Sequence, residues 1–352
     1  MRDSRRSLPA GRRRFGGDVF PPVRARESKA RSGPPFRMRP PIRPFFETVT
    51  RMLPESLPHP DKLRALASVL SPDATPAVAF SGGLDSSFLA WFIRTFRGRR
   101  PLCLLAVSPL LSRREYARAL KTAQELDLPL ELVELPLLDS PPIRENSTDR
   151  CYHCKKEILS RLGEKARQAG CTRLLDGTHA GDRGFRPGRR ALKELGILSP
   201  LEEAELDKPA MRDILAAAGL SFWNRPPQSC LATRIPYGTP LSAPLLGQIE
   251  GAEDLLWRLG CRQVRVRREG QGVRIEVEEG DFALFADPGN RREILSRFGD
   301  LGFLRVSLDL NPYRSGCRDE GFSPEAPVEK EPRAPAGGLP VEARKLPVKG
   351  QE

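Results

Sequence analysis

Four short runs of apolar and β-branched residues alternate with longer amphipathic segments between Thr75 and Thr178. A turn with two glycines follows the first run, and the apolar residues after it recur at the 3.6-residue spacing of a helix. Strands that alternate with helices predict an α/β fold with a doubly wound parallel sheet, in which ligands bind at the carboxyl ends of the strands. The predicted strands are "TPAVAF" (75–80), "LCLLAVS" (102–108), "LELVEL" (130–135) and "TRLLDGT" (172–178).

The sequence beyond Pro236 has a different pattern and predicts a smaller α+β domain for substrate binding or oligomerisation. A helical segment is followed by two alternating runs around a glycine-containing turn, which predict a β-hairpin. Another helix and a last strand complete the pattern. We therefore divide the chain into an N-terminal arm (1–57), the doubly wound domain (58–235), the α+β domain (236–317) and a C-terminal tail (318–352).

The basic excess of the chain is concentrated in the N-terminal arm. The net charge is +13, and residues 1–57 hold 14 Lys and Arg against 5 Asp and Glu, among clustered prolines. Such a segment buries too little apolar surface to offset its ordering entropy, so we predict a disordered arm, which is either a solvated tail or an RNA-binding device. The Pro-rich, charged tail predicts a second disordered segment.

The composition predicts a cytoplasmic protein with reduced thiols. Seven cysteines in 352 residues are too few for a disulfide scaffold. No run of about 18 apolar residues exists, and the N-terminus lacks the apolar stretch of a secretory signal, so we expect no membrane partner. Single, widely spaced cysteines are interpreted as buried, unreactive thiols, namely Cys103, Cys171, Cys261 and Cys317.

The segment "FSGGLDSS" (80–87) has the composition of a phosphate-binding turn. Two glycines let successive backbone N–H groups converge on an anion, serine hydroxyls add donors, and the next helix adds its positive N-terminal end. An acid in such a site is explained by a phosphate-bound magnesium ion. The alternative is a strand–turn–helix rich in Ser and Gly by chance. The candidate nucleotide-binding residues are Ser81, Gly82, Gly83, Asp85, Ser86 and Ser87.

This segment resembles the SGGxDS signature of the PP-loop ATP pyrophosphatases, which cleave ATP between the α- and β-phosphates and adenylate an acyl or amide oxygen. The resemblance implies ATP, Mg²⁺ and an adenylated intermediate. Residues 60–316 are moreover similar to the LarE family, through "DRCYHCKK", "LDGTHAGDRGFRPG", "WNRPPQSCLATRIPYG", "AEDLLWRLG" and "VRVR" in matching order. LarE proteins are ATP-dependent sulfur transferases that convert carboxylates of pyridinium-3,5-biscarboxylic acid mononucleotide into thiocarboxylates, on the path to the nickel-pincer cofactor. The resemblance implies a homo-oligomer with a small nucleotide substrate.

The LarE resemblance also implies site residues in both halves of the chain. We expect a basic pocket, because Arg captures carboxylates and phosphates through two hydrogen bonds at once. Plainer interpretations are a solvated strand face for the arginines of "VRVR", a surface lysine after the cysteine pair, and a strand end and turn at "LDGT". The candidate catalytic residues are Asp85, Lys155, Cys230 and Arg234, with Asp176 and Gly177 beside the nucleotide and Arg265, Arg267, Glu253 and Glu276 at the substrate.

Cys151 and Cys154 form a Cys-x-x-Cys pair with no second pair after it, which leaves a redox dithiol, half of a zinc site or part of a cluster site. Some LarE proteins lose the sulfur of one sacrificial cysteine, and the matching position here is Ser229, with Cys230 one residue later, so a sacrificial cysteine stays an alternative sulfur donor. A second LarE branch has three cysteines that hold a [4Fe–4S] cluster, and this pair with Cys230 matches it. Three thiolates leave one iron open for a transferable sulfide. His153 is disfavoured as a fourth ligand, because adjacent residues in such a turn point apart.

Two other functions stay open at the level of sequence. A PP-loop tRNA thiolase would use a similar cluster and the basic arm, although aromatic residues are not interleaved with the basic ones, which argues against nucleic acid as a partner. A nucleotide-binding sensor or scaffold without catalysis is the third interpretation, and the intact "SGGLDSS" argues against it.

Overall fold

The computed structural model of the chain describes residues 56–70, 75–182 and 187–313. The predicted disordered arm (1–57) lies outside the described residues except for Ser56 and Leu57, of which Leu57 is buried in the core and was wrongly assigned to the arm. The predicted tail (318–352) and the interpretation of Cys317 also lie outside the described residues. The longer helices are α1 (Pro60–Val69), α2 (Leu84–Phe96), α3 (Arg113–Glu125), α4 (Arg150–Gln168), α5 (Pro187–Leu195), α6 (Lys208–Ala217), α7 (Ala243–Arg258) and α8 (Pro288–Asp300). Single-turn helices cover Pro141–Arg144, Pro200–Glu203 and Ala283–Ala286. The strands are β1 (Pro76–Ala79), β2 (Leu102–Val107), β3 (Leu130–Glu134), β4 (Arg173–Leu175), β5 (Val264–Glu269), β6 (Gly272–Val277) and β7 (Val306–Leu308).

Strands β1 to β4 form a parallel sheet in the order β3–β2–β1–β4, which confirms the predicted doubly wound α/β fold. Helices cover both faces, and strands buried on both sides are near-continuous apolar runs. Val78 packs with α1, α2 and α6 on one face, and Ala77 packs with α4 and α5 on the other. Because β4 pairs with β1 in parallel, with Leu175 opposite Val78, the loops after these two strands emerge side by side.

Helices α5 and α6 lie in a stretch that the sequence analysis leaves unassigned. Asp207 caps α6, because its side chain accepts a hydrogen bond from Ala210 N at 2.9 Å. Met211, Ile214 and Leu215 are buried on one side of the helix. A capping Asp, a proline in the first turn and apolar residues three and four apart are recognisable helix signals, so α6 was predictable from its sequence.

The second half forms a three-stranded sheet in the order β5–β6–β7, packed with α7 and α8. Strands β5 and β6 are the predicted antiparallel hairpin, and its two-residue turn places Gly270 at φ +54°, a conformation that favours glycine. The same apolar core includes Leu137 and Ile143 from the first half, and the domain boundary near Pro236 stays a prediction. Within the described ranges, no helix combines the length and the apolar character needed to cross a bilayer.

Candidate functional site

The loop after β1 curls at the carboxyl edge of the parallel sheet and leads into α2. Gly82 has φ +70°, and a Cβ on it would overlap the backbone of Ala119 in α3. Both the backbone conformation and this close contact therefore exclude a larger residue. Ser86 Oγ accepts a hydrogen bond from Ser81 N at 3.2 Å, and Ser81 Oγ accepts one from Gly83 N at 3.3 Å. Gly83 is the N-cap of α2, so the loop and the unpaired N–H groups of the first helical turn form one anion-binding arrangement.

Two buried polar atoms of this loop, Asp85 Oδ1 and Ser87 Oγ, have no hydrogen-bond partner among the described residues. Burial raises the pKa of Asp85, and the positive charges of Lys208 and His179 oppose that effect without cancelling it. Lys208 Nζ lies 3.9 Å from Asp85 Oδ2. A buried carboxylate oxygen without a donor is the type of ligand that Mg²⁺ prefers, so Asp85 fits a magnesium ion that also binds phosphate.

The loop after β4 lies against the phosphate-binding loop. A Cβ on Gly177 would come within 3.0 Å of Ser86 N, so glycine permits this close approach. Asp176 Oδ1 accepts a hydrogen bond from Thr178 N at 2.8 Å, and Asp176 Oδ2 lies 3.3 Å from Lys155 Nζ. Lys155 belongs to α4 and therefore links the helix of the Cys-x-x-Cys pair to the loop after β4.

One cavity of about 480 Å³ extends from the phosphate-binding loop to the motif cysteines. Its size suits a small molecule, since ligand pockets span roughly 300 to 1,000 Å³. It brings together five of the predicted nucleotide-binding residues and the three predicted sulfur-carrying cysteines, which come from distant segments of the sequence, whereas Ser86, Ser87 and Gly177 are not part of its wall. The wall includes Ser81, Gly82, Gly83, Asp85, Cys151, Cys154, Lys155, Asp176, Ser229 and Cys230.

The three motif cysteines reach this cavity from two segments. Cys151 and Cys154 lie half-buried in the first turns of α4, whereas Cys230 is exposed before a short helical turn. Burial, and then the thiols of Cys230 and Cys151, raise the pKa of Cys154 to about 12. Across the described ranges, no three thiol, imidazole or carboxylate groups are grouped closely enough to hold a metal ion. Three soft donors on one cavity fit an iron–sulfur cluster in chemical type, and their role as its ligands stays a prediction.

His153 and the three single cysteines of the described residues are not part of the cavity wall. His153 Nε2 is 3.0 Å from Asp149 Oδ2, within the same helical end. Cys103, Cys171 and Cys261 are buried, as predicted, and burial raises the pKa of Cys261 to about 12. Such thiols stay protonated near neutral pH and are weak nucleophiles.

Arg234 lies directly behind the segment that carries Cys230 (residues 225–230, called the Cys230 loop) and is only 3% exposed. Its Nε and Nη2 donate to the two carboxylate oxygens of Glu253 at 2.8 and 3.0 Å, and its Nη1 donates to Ser229 O at 2.7 Å and Cys230 O at 3.0 Å. Burial lowers the pKa of Arg234, but the charges of Glu253 and Cys230 outweigh it and the pKa is raised. This arginine anchors the loop that carries Cys230, and its predicted catalytic role stays a prediction.

The arginines of the hairpin are largely buried, so the interpretation of a solvated strand face is wrong. Arg265 is 1% exposed and donates from Nη2 to Pro227 O at 3.1 Å. The side chain of Arg267 is 13% exposed, and its Nε donates to Glu276 Oε1 at 2.6 Å. These side chains lie behind the Cys230 loop and are not part of the wall of the 480 Å³ cavity. Their predicted contact with substrate, and that of Glu253, stays a prediction.

Comparison with known proteins decides the family. The pyridinium-3,5-bisthiocarboxylic acid mononucleotide synthase of Lactiplantibacillus plantarum is 35% identical over 260 residues, which are 72% of this chain and 92% of the relative. The chain belongs to the LarE family. Uncharacterized proteins of Synechocystis sp. and Methanocaldococcus jannaschii are 37% and 30% identical to it, each over 240 residues and 90% of its own length. No model of a known protein family matches the sequence.

Several cations of this LarE site were missed in the sequence analysis. Lys208 and Arg212, four residues apart on α6, and Arg118 of α3 line the cavity. Arg225 Nη1 donates to Gly82 O at 3.3 Å and so links the Cys230 loop to the phosphate-binding loop. The spacing of Lys208 and Arg212 places both on one face of α6, but only tertiary packing turns that face toward the cavity beside the phosphate-binding loop.

Proposed function

We propose that this LarE chain is an ATP-dependent sulfur transferase that adenylates a carboxylate of pyridinium-3,5-biscarboxylic acid mononucleotide and converts it into a thiocarboxylate. The observation that carries the proposal is the shared cavity, in which a phosphate-binding loop and three cysteines face one space. A 35% identical relative is named as the synthase of the corresponding bisthiocarboxylic product, which supports the choice of substrate.

The first half-reaction needs positive charge around a triphosphate. A carboxylate oxygen of the substrate attacks the α-phosphorus of ATP, the bond to the bridging oxygen breaks, and pyrophosphate leaves. The N–H groups of the phosphate-binding loop, with Lys208 and Arg212, bind the phosphates and stabilise the charge that develops on the leaving group. Asp85 would hold Mg²⁺, which neutralises phosphate charge when bound.

The second half-reaction replaces AMP by sulfur. A carboxylate is a poor electrophile, but its mixed anhydride with AMP has a good leaving group, which a sulfur nucleophile displaces at the acyl carbon. Cys151, Cys154 and Cys230 would hold a [4Fe–4S] cluster, which supplies a transferable sulfide when bound. Lys155, between the cysteines and Asp176, is placed to balance negative charge during the exchange.

The decisive experiment follows iron, turnover and polypeptide mass in protein purified without air. With ATP, substrate and added sulfide we expect AMP, pyrophosphate and thiocarboxylate, several turnovers per chain, iron near four per chain and an unchanged mass. A loss of roughly 34 Da at Cys230, the mass of H₂S, would show a sacrificial cysteine instead. Absence of ATP-to-AMP turnover with substrate would contradict the proposed function altogether.

We further propose that the protein is a cytoplasmic homo-oligomer, as the LarE resemblance implies. Light scattering of the purified chain measures the oligomeric state. Fractionation of the source cells measures the location, and a monomer or a membrane-bound protein would contradict the respective proposal.

A further inference from the structure

Arg150 is a buried cation at the start of α4, and nothing above gives it a role. It is 1% exposed and lines the 480 Å³ cavity. Its Nη2 donates to Cys151 Sγ at 3.4 Å, and its Nη1 donates to Ala232 O at 3.2 Å and to Asn146 Oδ1. One guanidinium thus contacts the Cys-x-x-Cys pair, the segment that follows Cys230 and the turn that precedes α4.

Asn146 extends this connection along the same segment. Its side chain is fully buried, and its Nδ2 donates to Pro236 O at 2.7 Å and Thr239 O at 3.1 Å. Arg150 and Asn146 together fasten residues 232–239 to the N-terminal end of α4. The planar fork of arginine suits this task, because its donors diverge in fixed directions toward several acceptors.

The charge of Arg150 is not matched by an acid. In the described part of the chain no carboxylate contacts its guanidinium, whereas the buried Arg234 forms a two-bond pair with Glu253. Arg150 also occupies the positive end of a helix dipole, where a cation is unfavourable. Instead of a carboxylate, the guanidinium has Cys151 Sγ beside it and the ring of Tyr237 at 5.6 Å from Cζ to the centroid, so a negative charge on the sulfur site would compensate this buried cation.

We propose that Arg150 is a positioning residue that holds the Cys230 loop against the Cys-x-x-Cys helix and balances the negative charge of the sulfur site. This inference rests on the proposed role of the three cysteines as one site. Arg150, supported by Asn146, would thus help to bring thiols from two distant segments to the same cavity.

The first test measures thiol proximity in reduced, metal-free protein. A short bifunctional thiol reagent should cross-link Cys151 to Cys230 in wild type, and peptide mass spectrometry measures the rate. Arg150→Gln should cross-link roughly tenfold more slowly, because the two segments lose their common donor. Arg144→Gln removes an exposed cation nearby and should match wild type.

Arg150→Lys separates charge from geometry. An ammonium group keeps the charge but cannot hold divergent acceptors as a planar fork does, so its cross-linking should also be slower than in wild type. After anaerobic loading with iron and sulfide, Arg150→Gln should shift the midpoint potential downward, because a nearby positive charge favours the more negative reduced state. Arg150→Lys should keep a potential close to wild type, which a purely structural role would not predict.

Equal cross-linking in wild type and Arg150→Gln would overturn the proposal. Should that variant fail to fold by circular dichroism, equal cross-linking in wild type and Arg150→Lys is the overturning result. The cross-linking arm needs no metal, so slower cross-linking together with no iron uptake in wild type would sink the cluster function and leave the role of Arg150 standing. Equal cross-linking together with equal iron content and equal potentials in all variants would sink the role of Arg150 and leave the cluster function standing.

Discussion

The phosphate-binding loop and the Arg234–Glu253 pair behind the Cys230 loop differ in how their buried polar groups are hydrogen-bonded. In the phosphate-binding loop, Asp85 Oδ1 and Ser87 Oγ are buried without a partner. Behind the Cys230 loop, Arg234 uses all three of its nitrogens, and Glu253 Oε1 accepts a further hydrogen bond from Val266 N at 3.0 Å. Leaving a buried polar atom unpaired costs about 1–3 kcal/mol, so the first region stores a cost that a ligand can remove.

This difference separates a binding surface from the structure that holds it. Of the two residues with unpaired atoms, Asp85 lines the cavity, where a metal ion bound to phosphate would pair its oxygen. Arg234, whose nitrogens are all hydrogen-bonded, lies behind the Cys230 loop and holds its carbonyl groups. Substitutions in the phosphate-binding loop should therefore lower the rate of the reaction, whereas substitutions at Arg234 or Glu253 should lower the stability of the fold.

Asp85→Asn should give the largest effect and should affect chemistry alone. Pyrophosphate release with substrate should fall by roughly 100-fold or more, because a metal ligand and its charge are lost. The free energy of unfolding should change by less than about 1 kcal/mol, since the amide replaces a carboxylate that burial disfavours. Asp61→Asn, on the exposed side of α1, is the control that should behave like wild type. Near wild-type release in Asp85→Asn would show that this loop is not the ATP site.

Cys230→Ser should abolish sulfur transfer while part of the ATP cleavage remains. A serine oxygen is a poor ligand for soft iron, so the brown colour and most of the bound iron should be lost. Cys261→Ala is the matched control, because that thiol is buried in the apolar core away from the cavity. It should keep iron and turnover and lose about 1 kcal/mol of stability. Full iron content in Cys230→Ser would remove this residue from the ligand set.

The contrast between the two regions also explains what the sequence could predict. The backbone conformation of the phosphate-binding loop is set locally, since the positive φ of Gly82 and the serine hydrogen bonds arise within one strand–turn–helix. The pair Arg234 and Glu253 joins residues from different elements, and no spacing rule reveals it. Strand alternation places Arg265 and Arg267 on one side of β5, but it does not say that the Cys230 loop covers them.

Arg150 shows the same limit at closer range. It stands beside Cys151 in the sequence, yet a lone arginine in a basic helix is ordinarily exposed. Arg150 is covered by residues 232–239, with which it shares the hydrogen bond to Ala232 O. That contact depends on the packing of the whole second half. The sequence therefore predicts the fold and the phosphate-binding loop more fully than it predicts the groups that orient the cysteines.

Arg234→Met should destabilise the protein by about 3–5 kcal/mol, because Glu253 is left as an uncompensated buried charge. Adding Glu253→Leu should recover part of this loss, and urea unfolding of the single and double variants measures both. Arg161→Met is the control, since its ion pair to Glu164 on α4 is exposed to solvent and should contribute about 1 kcal/mol or less. A single variant as stable as this control would show that the closed region is not the scaffold described above.

Glu250→Gln should give the smallest effect, visible only as a pH dependence of stability. Burial raises the pKa of Glu250 above 4.5, although the backbone N–H and the guanidinium of Arg113 oppose the shift. A raised pKa means that the folded state binds the proton more tightly, so the stabilisation is present below 4.5 and is lost as the pH rises through the folded value. The glutamine variant has no such loss and should gain stability relative to wild type, by about 1 kcal/mol or less, between about pH 4 and pH 7.

Glu293→Gln, on the exposed face of α8, is the control, and its free energy of unfolding by urea should follow that of wild type at every pH. A Glu250→Gln curve that falls toward neutral pH relative to wild type would mean that the ion pair with Arg113 outweighs burial, and that this contact between α3 and α7 is held together by charge.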